Sequence, residues 1–179
     1  MCFDEKNVAL ALEACGFSRA IAGEEDFNAA VKAIITTHTF NRGIIIAGEY
    51  GVGKTCLANA IVQIFGRGNF RIQSMNDPKD VDFLSEESIE FWADVVYERG
   101  VMLDDLGSEK PVNNFGVMQE VIGEFIVSYH EKGRGILIIT TNLNAQELDG
   151  RYGGRVLSRL KDKCIPLRLK GKDKRQWQL

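Results

Sequence analysis

Gly48-Glu49-Tyr50-Gly51-Val52-Gly53-Lys54-Thr55 is the stretch whose reading decides the fold of this 179-residue chain. It follows the apolar run Gly43 to Ala47 and opens a segment in which Leu57, Ala58, Ile61, Val62 and Phe65 share one helical face. A glycine-rich turn set between strand and helix and closed by Lys-Thr fits G-x-x-x-x-G-K-[ST], the pattern of a phosphate-binding loop. Glycines let the backbone turn tightly so that successive N–H groups point at phosphate oxygens, and the helix N-terminus adds partial positive charge. Gly48, Tyr50, Gly51, Val52, Gly53 and Cys56 complete the expected nucleotide-binding set. Lys54 is expected to pair with the β and γ phosphates of ATP, and the Thr55 hydroxyl to ligate Mg2+. A glycine-rich turn without a ligand is the plainer alternative, and the strand-helix setting speaks against it.

Downstream of the loop, apolar runs alternate with helical segments, as in β-α-β units around a parallel sheet. Strands are predicted at Gly43 to Ala47, Phe70 to Met75, Val101 to Asp104, Ile136 to Thr141 and Ile165 to Leu169. Met118, Val121, Ile122, Phe125, Ile126 and Tyr129 lie on one face of a further helix. Between Asn76 and Arg99 the pattern gives a break at Pro78, a short turn at Val81 to Leu84 and a helix from about Glu86 to Glu98. Two helices precede the sheet: Val8 to Cys15, with Asn7 as cap and Gly16 as stop, and Phe27 to His38. The expected division is an N-terminal helical extension over 1–38 and a nucleotide-binding core over 39–179.

Val101-Met102-Leu103-Asp104-Asp105-Leu106-Gly107 ends an apolar strand in two carboxylates that strand alternation aims differently. Asp104 is placed to hold the metal shell, and Asp105 to orient or deprotonate the attacking water. Alone, such a run reads as a strand entering an acidic turn; beside the loop it reads as a Walker B strand. Ile136 to Asn142 ends in a polar tip beside the first two strands. Asn142 can donate its amide to a γ-phosphate oxygen or to the water, or instead cap the helix beginning near Asn144 or Ala145.

Arg151, Arg155 and Arg159 recur every four residues, so a helix aligns them, beside the apolar stripe Leu148, Tyr152, Val156 and Leu160. Arginine so placed can neutralise charge arising in a neighbouring subunit, or can simply be a solvated face. The net charge of −3 conceals an asymmetry: Arg151 to Leu179 holds ten Lys/Arg against Asp162 and Asp173, which leaves twelve basic and twenty-three acidic residues before it. Such an end suits nucleotide or nucleic-acid phosphates, an acidic partner, or water. No apolar run approaches the ~18 residues of a membrane span, and Asp4 and Glu5 do not suit a signal peptide. A cytoplasmic protein is expected. Cys2, Cys15, Cys56 and Cys164 are scattered, with no metal-ligand spacing.

With these elements in this order the chain resembles AAA+ ATPases, and within them the DnaC and IstB group of the initiator and helicase-loader branch. The resemblance rests on Asp104-Asp105-Leu106-Gly107, on Thr140-Thr141-Asn142, and on Tyr152-Gly153-Gly154-Arg155-Val156-Leu157-Ser158-Arg159-Leu160, and covers about Phe27 to Arg175. It implies a three-layer α/β P-loop fold with a five-stranded parallel sheet of order 5-1-4-3-2. It also implies an arginine finger, Arg155 or Arg159, that completes a neighbour's site in a nucleotide-dependent homo-oligomer, and a sensor role for Arg175. The implied partner is a replicative helicase or a transposase, with single-stranded DNA as a further ligand. Against the group's pattern, only about 40 residues precede the first sheet strand, and a C-terminal helical lid is not expected from this sequence. Two other classes remain open: a small-molecule kinase, which does not account for Asp105, Asn142 and the arginines together, and an adaptor that binds ATP without hydrolysing it.

Overall fold

The structure is a computed structural model that describes residues 3–75, 100–109, 112–114, 117–119, 121–171 and 173. The turn at 81–84, the helix at 86–98 and Arg175 lie outside the described residues. Helices α1 (Glu5–Ala14), α2 (Arg19–Ala22) and α3 (Glu24–Phe40) lead into β1 (Gly43–Ala47). The phosphate-loop sequence runs directly into α4 (Lys54–Phe65), followed by β2 (Phe70–Ser74) and β3 (Gly100–Leu106). A small pair, β4 (Val112–Asn114) and β5 (Val117–Gln119), precedes α5 (Val121–Lys132), β6 (Leu137–Thr141), α6 (Ala145–Lys163) and β7 (Cys164–Arg168).

Five strands form one sheet in the order β2-β3-β6-β1-β7, with every neighbouring pair parallel. Counted from β7 and numbered by sequence among these five strands, this is the order 5-1-4-3-2. Side chains alternate cleanly between the faces, as a sheet covered on both sides requires. Ile44, Ile46, Met102, Ile138 and Leu167 enter a core shared with α1, α3 and α4, which includes Val8, Leu12, Phe27, Ile34, Leu57 and Ile61. Val101, Leu103, Leu137, Ile139 and Cys164 face a second core built with Ile122, Phe125, Ile126 and Tyr129 of α5 and the α6 stripe Leu148, Tyr152, Val156 and Leu160. These two apolar layers explain why the strands read as nearly continuous aliphatic runs.

Several local expectations need correction. Asp4, not Asn7, caps α1: its Oδ1 accepts the Asn7 N–H at 2.8 Å, so the helix begins at Glu5. The second predicted helix extends over Glu24–Phe40, starting from Gly23 with three acidic residues in its first turn, where they favour the helix dipole. Met118 does not join a helical stripe. It pairs with Asn113 in the antiparallel β4–β5 ladder, in which β-branched Val112 and Val117 favour extended backbone. The arginine row is also interrupted, because Gly153, at φ 82° and ψ 158°, breaks α6 into two stretches.

Asp26 connects the two ends of this frame. Buried in the first turn of α3, its Oδ2 accepts the backbone N–H groups of Lys170 at 2.9 Å and Gly171 at 3.2 Å, just past β7. Asp26→Ala leaves both donors without their carboxylate and should destabilise the protein by about 1–3 kcal/mol, read from urea denaturation midpoints. Asp26→Asn, which keeps an acceptor oxygen, should lose less.

Candidate functional site

The loop sits at the carboxyl end of β1, where its geometry follows from its glycines. Gly51 and Gly53 adopt φ of 77° and 98°, a region that side chains with a Cβ rarely enter, and Gly53 hands the chain to α4. A Cβ on Gly48 would stand 2.8 Å from the Leu169 carbonyl oxygen, so the loop is seated tightly against the segment after β7.

Lys54 opens α4 and is almost buried, at 6% exposure. Its Nζ donates to the carbonyls of Gly48 at 3.0 Å and Glu49 at 2.7 Å and to Asn142 Oδ1 at 2.6 Å, and stands 5.8 Å from the centre of the Tyr50 ring. The ammonium thus ties the loop to the tip of β6. Asn142 does not cap the following helix. Asn144 does: its Oδ1 accepts from Gln146 N and Glu147 N, and Glu147 returns the contact to the Asn144 N–H.

Thr55 and Asp104 meet across the gap between α4 and β3. Thr55 Oγ1 donates to Asp104 Oδ1 at 3.0 Å and lies 3.3 Å from Oδ2. A hydroxyl and a carboxylate converging so closely are hard oxygen donors that fit Mg2+, which takes one or two protein oxygens and fills its octahedron with phosphate and water oxygens. Asp104 Oδ1 also accepts from Thr140 Oγ1 at 2.6 Å, and the same hydroxyl accepts the Asp105 N–H at 2.8 Å. Asp105 itself has a left-handed backbone, φ 61°, where the β3–β6 register slips between Leu103 and Leu106. This bulge sends the second carboxylate in a direction that plain strand alternation does not give. Ser108 closes the turn, donating from N and Oγ to the Asp105 carbonyl at 3.1 and 2.6 Å.

Lys54, Thr55, Asp104, Asp105 and Asn142 are therefore brought to neighbouring strand and helix ends. A cleft of about 530 Å³ runs from Gly48, Glu49 and Asn142 to Leu148, Leu157 and Leu160, so the loop and α6 share one concave surface. Arg155 and Arg159 stand apart from the cluster. Arg155 is exposed and lies 3.8 Å from Glu131 of α5, while Arg159 Nε is buried without a hydrogen bond among the described residues. Arg151 is committed to Glu109, with Nε 3.3 Å from its Oε1.

Sequence reasoning singled out neither Thr140, as a link from the Asp104 carboxylate to the Asp105 backbone, nor Glu109. A threonine inside an aliphatic central strand was a readable signal, because a hydroxyl buried there must find a partner. Glu109 gave no signal, since its role depends on a helix more than 40 residues away. Asp173 was missed too. A Cβ on Gly51 would fall 1.8 Å from its Oδ1, so the carboxylate rests on the phosphate loop.

Two measurements check this geometry. A carboxylate touching the loop repels phosphate on charge grounds alone, by about 1 kcal/mol at such range, so Asp173→Ala should tighten ATP binding by roughly fivefold in titration calorimetry. Thiol labelling at pH 8 should separate the cysteines. Cys56, exposed in the first turn of α4, should react quickly and be protected by bound nucleotide, whereas Cys164, buried and with its pKa pushed up to about 12 by that burial, should stay unlabelled until the protein unfolds.

No family model matches the sequence, and no curated protein does. Among solved structures the chain is similar to DnaI, with 21% identity and a TM-score of 0.63 over 88% of this chain and 93% of that one. It is similar to the replication initiator DnaA bound to AMPPCP and single-stranded DNA, with 20% identity and a TM-score of 0.59, covering 84% of this chain and 47% of that one. NtrX from Brucella abortus in complex with ATP gives 17% identity and a TM-score of 0.57, over 83% of this chain and 37% of that one. The chain spans about half the length of the DnaA structure and little more than a third of NtrX. Strand order, the loop after β1 and these likenesses agree on one fold, that of the P-loop AAA+ domains.

Proposed function

We propose that the protein binds ATP with Mg2+, hydrolyses it, and works as a nucleotide-dependent assembly factor of the helicase-loader kind in DNA replication. The observation that carries this reading is the meeting of Lys54, Thr55, Asp104, Asp105 and Asn142 at the ends of β1, β3 and β6. Lys54 and the loop N–H groups bind the phosphates; Thr55 and Asp104 would hold Mg2+, which supplies charge neutralisation at the β and γ phosphoryl oxygens. Asp105 orients the attacking water and takes its proton, and Asn142, already hydrogen-bonded to Lys54, follows the γ-phosphoryl group. The Asp105–Thr140 contact keeps the water-orienting carboxylate apart from the metal-holding one.

The site is completed by an arginine from a neighbouring protomer. Arg155, exposed on the second stretch of α6, is better suited than the partly covered Arg159. The likeness to DnaI, and to a DnaA captured with single-stranded DNA, supports a replication setting and DNA as a ligand. A helicase is the partner this reading favours. A transposase is the alternative of the same chemistry, and co-purification from the native host separates them. No helix among the described residues is long and apolar enough to cross a membrane, and the proposed setting is the cytoplasm.

The test uses single and mixed variants. Lys54→Ala should lose ATP affinity while remaining folded, and Asp105→Asn should bind MgATP normally but turn it over about a hundredfold more slowly or worse. Specific activity should rise with protein concentration. Mixing Lys54→Ala with Arg155→Ala should restore part of the activity that each lacks. Concentration-independent turnover together with no rescue, for Arg155 or Arg159, rules out the shared site. DNA binding that weakens steeply with salt supports phosphate contact; salt-insensitive retention does not.

A further inference from the structure

Glu109 lies four residues after Asp105, and its side chain is only 9% exposed. Its Oε2 accepts the Gly107 N–H at 2.8 Å. Its Oε1 accepts from Arg151 Nε at 3.3 Å and from the Tyr152 hydroxyl, while Arg151 Nη2 donates to the Glu109 carbonyl. The carboxylate and the backbone of one residue are thus gripped by two consecutive side chains, the last before Gly153 breaks α6. Burial and the adjacent Glu109 carboxylate both raise the Tyr152 pKa, so the phenol keeps the proton it donates.

This grip reaches the reacting end of the site through a short path. Ser108 N and Oγ hold the Asp105 carbonyl, Gly107 N holds Glu109, and Glu109 is held by α6. A left-handed backbone is uncommon for a residue with a Cβ, although aspartate adopts it more readily than most, and at Asp105, φ 61°, hydrogen bonds from both sides hold it. From the other side Thr140 fixes the Asp105 N–H. The turn from Asp105 to Glu109 is therefore clamped between β6 and the first stretch of α6.

We propose that Arg151 is a positioning residue that acts within its own protomer: through Glu109, and together with Tyr152, it fixes the turn that aims the Asp105 carboxylate at the attacking water. It is not a member of the row of arginines offered to a neighbour. The inference rests on reading Asp105 as the hydrolytic carboxylate. It separates Arg151 from Arg155 by function, with Gly153 marking the border between the stretch of α6 that serves its own site and the stretch that serves the next one.

The experiment uses the full chain with Arg151→Gln, Arg151→Lys, Glu109→Gln and Tyr152→Phe. For Arg151→Gln, kcat should fall tenfold or more while the Kd for MgATP stays within about twofold of wild type, because the phosphate contacts are untouched. Arg151→Lys, which keeps one charged donor, should recover part of the loss. Glu109→Gln combined with Arg151→Gln should cost little more than either alone, as expected of one shared contact. Mixing Arg151→Gln with Lys54→Ala should give no rescue, since the protomer with the working loop still has the loosened turn. Rescue in that mixture, unchanged kcat in the folded variants, or loss of ATP affinity in step with kcat would each overturn the proposal. Amide exchange at Asp105 and Gly107 provides a readout independent of turnover: it should accelerate in Arg151→Gln and Glu109→Gln, and unchanged protection overturns the link. If wild type does not turn over MgATP, or Asp105→Asn does so normally, the reading of the site fails, while the exchange data still decide the clamp.

Discussion

One hydroxyl, that of Thr140, ties the Asp104 carboxylate to the backbone of Asp105. It donates to Asp104 and accepts from the Asp105 backbone, across two strands covered on both faces. A polar atom so enclosed must be hydrogen-bonded, and a net loss of about 1–3 kcal/mol attends an orphaned one. Thr140 is fully buried and meets that demand by donating to Asp104, and at the β3 bulge it also accepts the Asp105 N–H. Thr141 repeats the device one residue later, donating to the Leu106 carbonyl at 2.7 Å, which fixes where the bulge ends. Asp105's left-handed backbone thus sits between two threonine hydroxyls that hydrogen-bond to the bulge from β6.

Lys54 obeys the same rule with a full charge. An ammonium that is nearly buried is tolerated only when surrounded by oxygen, and here two carbonyls and an amide oxygen provide it. Under the proposed function, phosphate oxygens would replace partners of similar strength, so binding would be an exchange of ligands around the nitrogen more than a capture of a free cation. Because one of those partners is Asn142, any change at the lysine is felt at the end of β6. That strand also carries the two threonines, and the phosphate loop and the carboxylate turn are in this way mechanically joined through three consecutive residues.

The sequence made the frame legible wherever periodicity was strong. Aliphatic runs located all five sheet strands to within a few residues, and the α6 stripe Leu148, Tyr152, Val156 and Leu160 is buried as its spacing predicted. The loop was legible because its glycines and Lys-Thr occur together between a strand and a helix. Features set by distant partners were not legible. Nothing local distinguishes Arg151 from Arg155; what separates them is Glu109 on one side and a single glycine dihedral on the other. Met118 fits a helical face by spacing, yet the β4–β5 pairing decides its conformation. Asn7 and Asp4 are both good caps in principle, and the side chain that reaches an N–H three residues ahead takes the role.

Pro166 gives the outer rim of the sheet a distinct character. The Leu169 N–H donates to Ala47, so alternate residues of that strand, Ile165 and Leu167 among them, point their backbone groups at β1, and Pro166 turns its nitrogen outward. A foreign strand laid along this rim would meet a position with no donor, flanked by the exposed cations Arg168 and Lys170. Edge-to-edge growth of the sheet is disfavoured there by chemistry built into the strand. A second copy brought against that side would find no unbroken ladder of backbone donors between Ile165 and Leu167 to pair with.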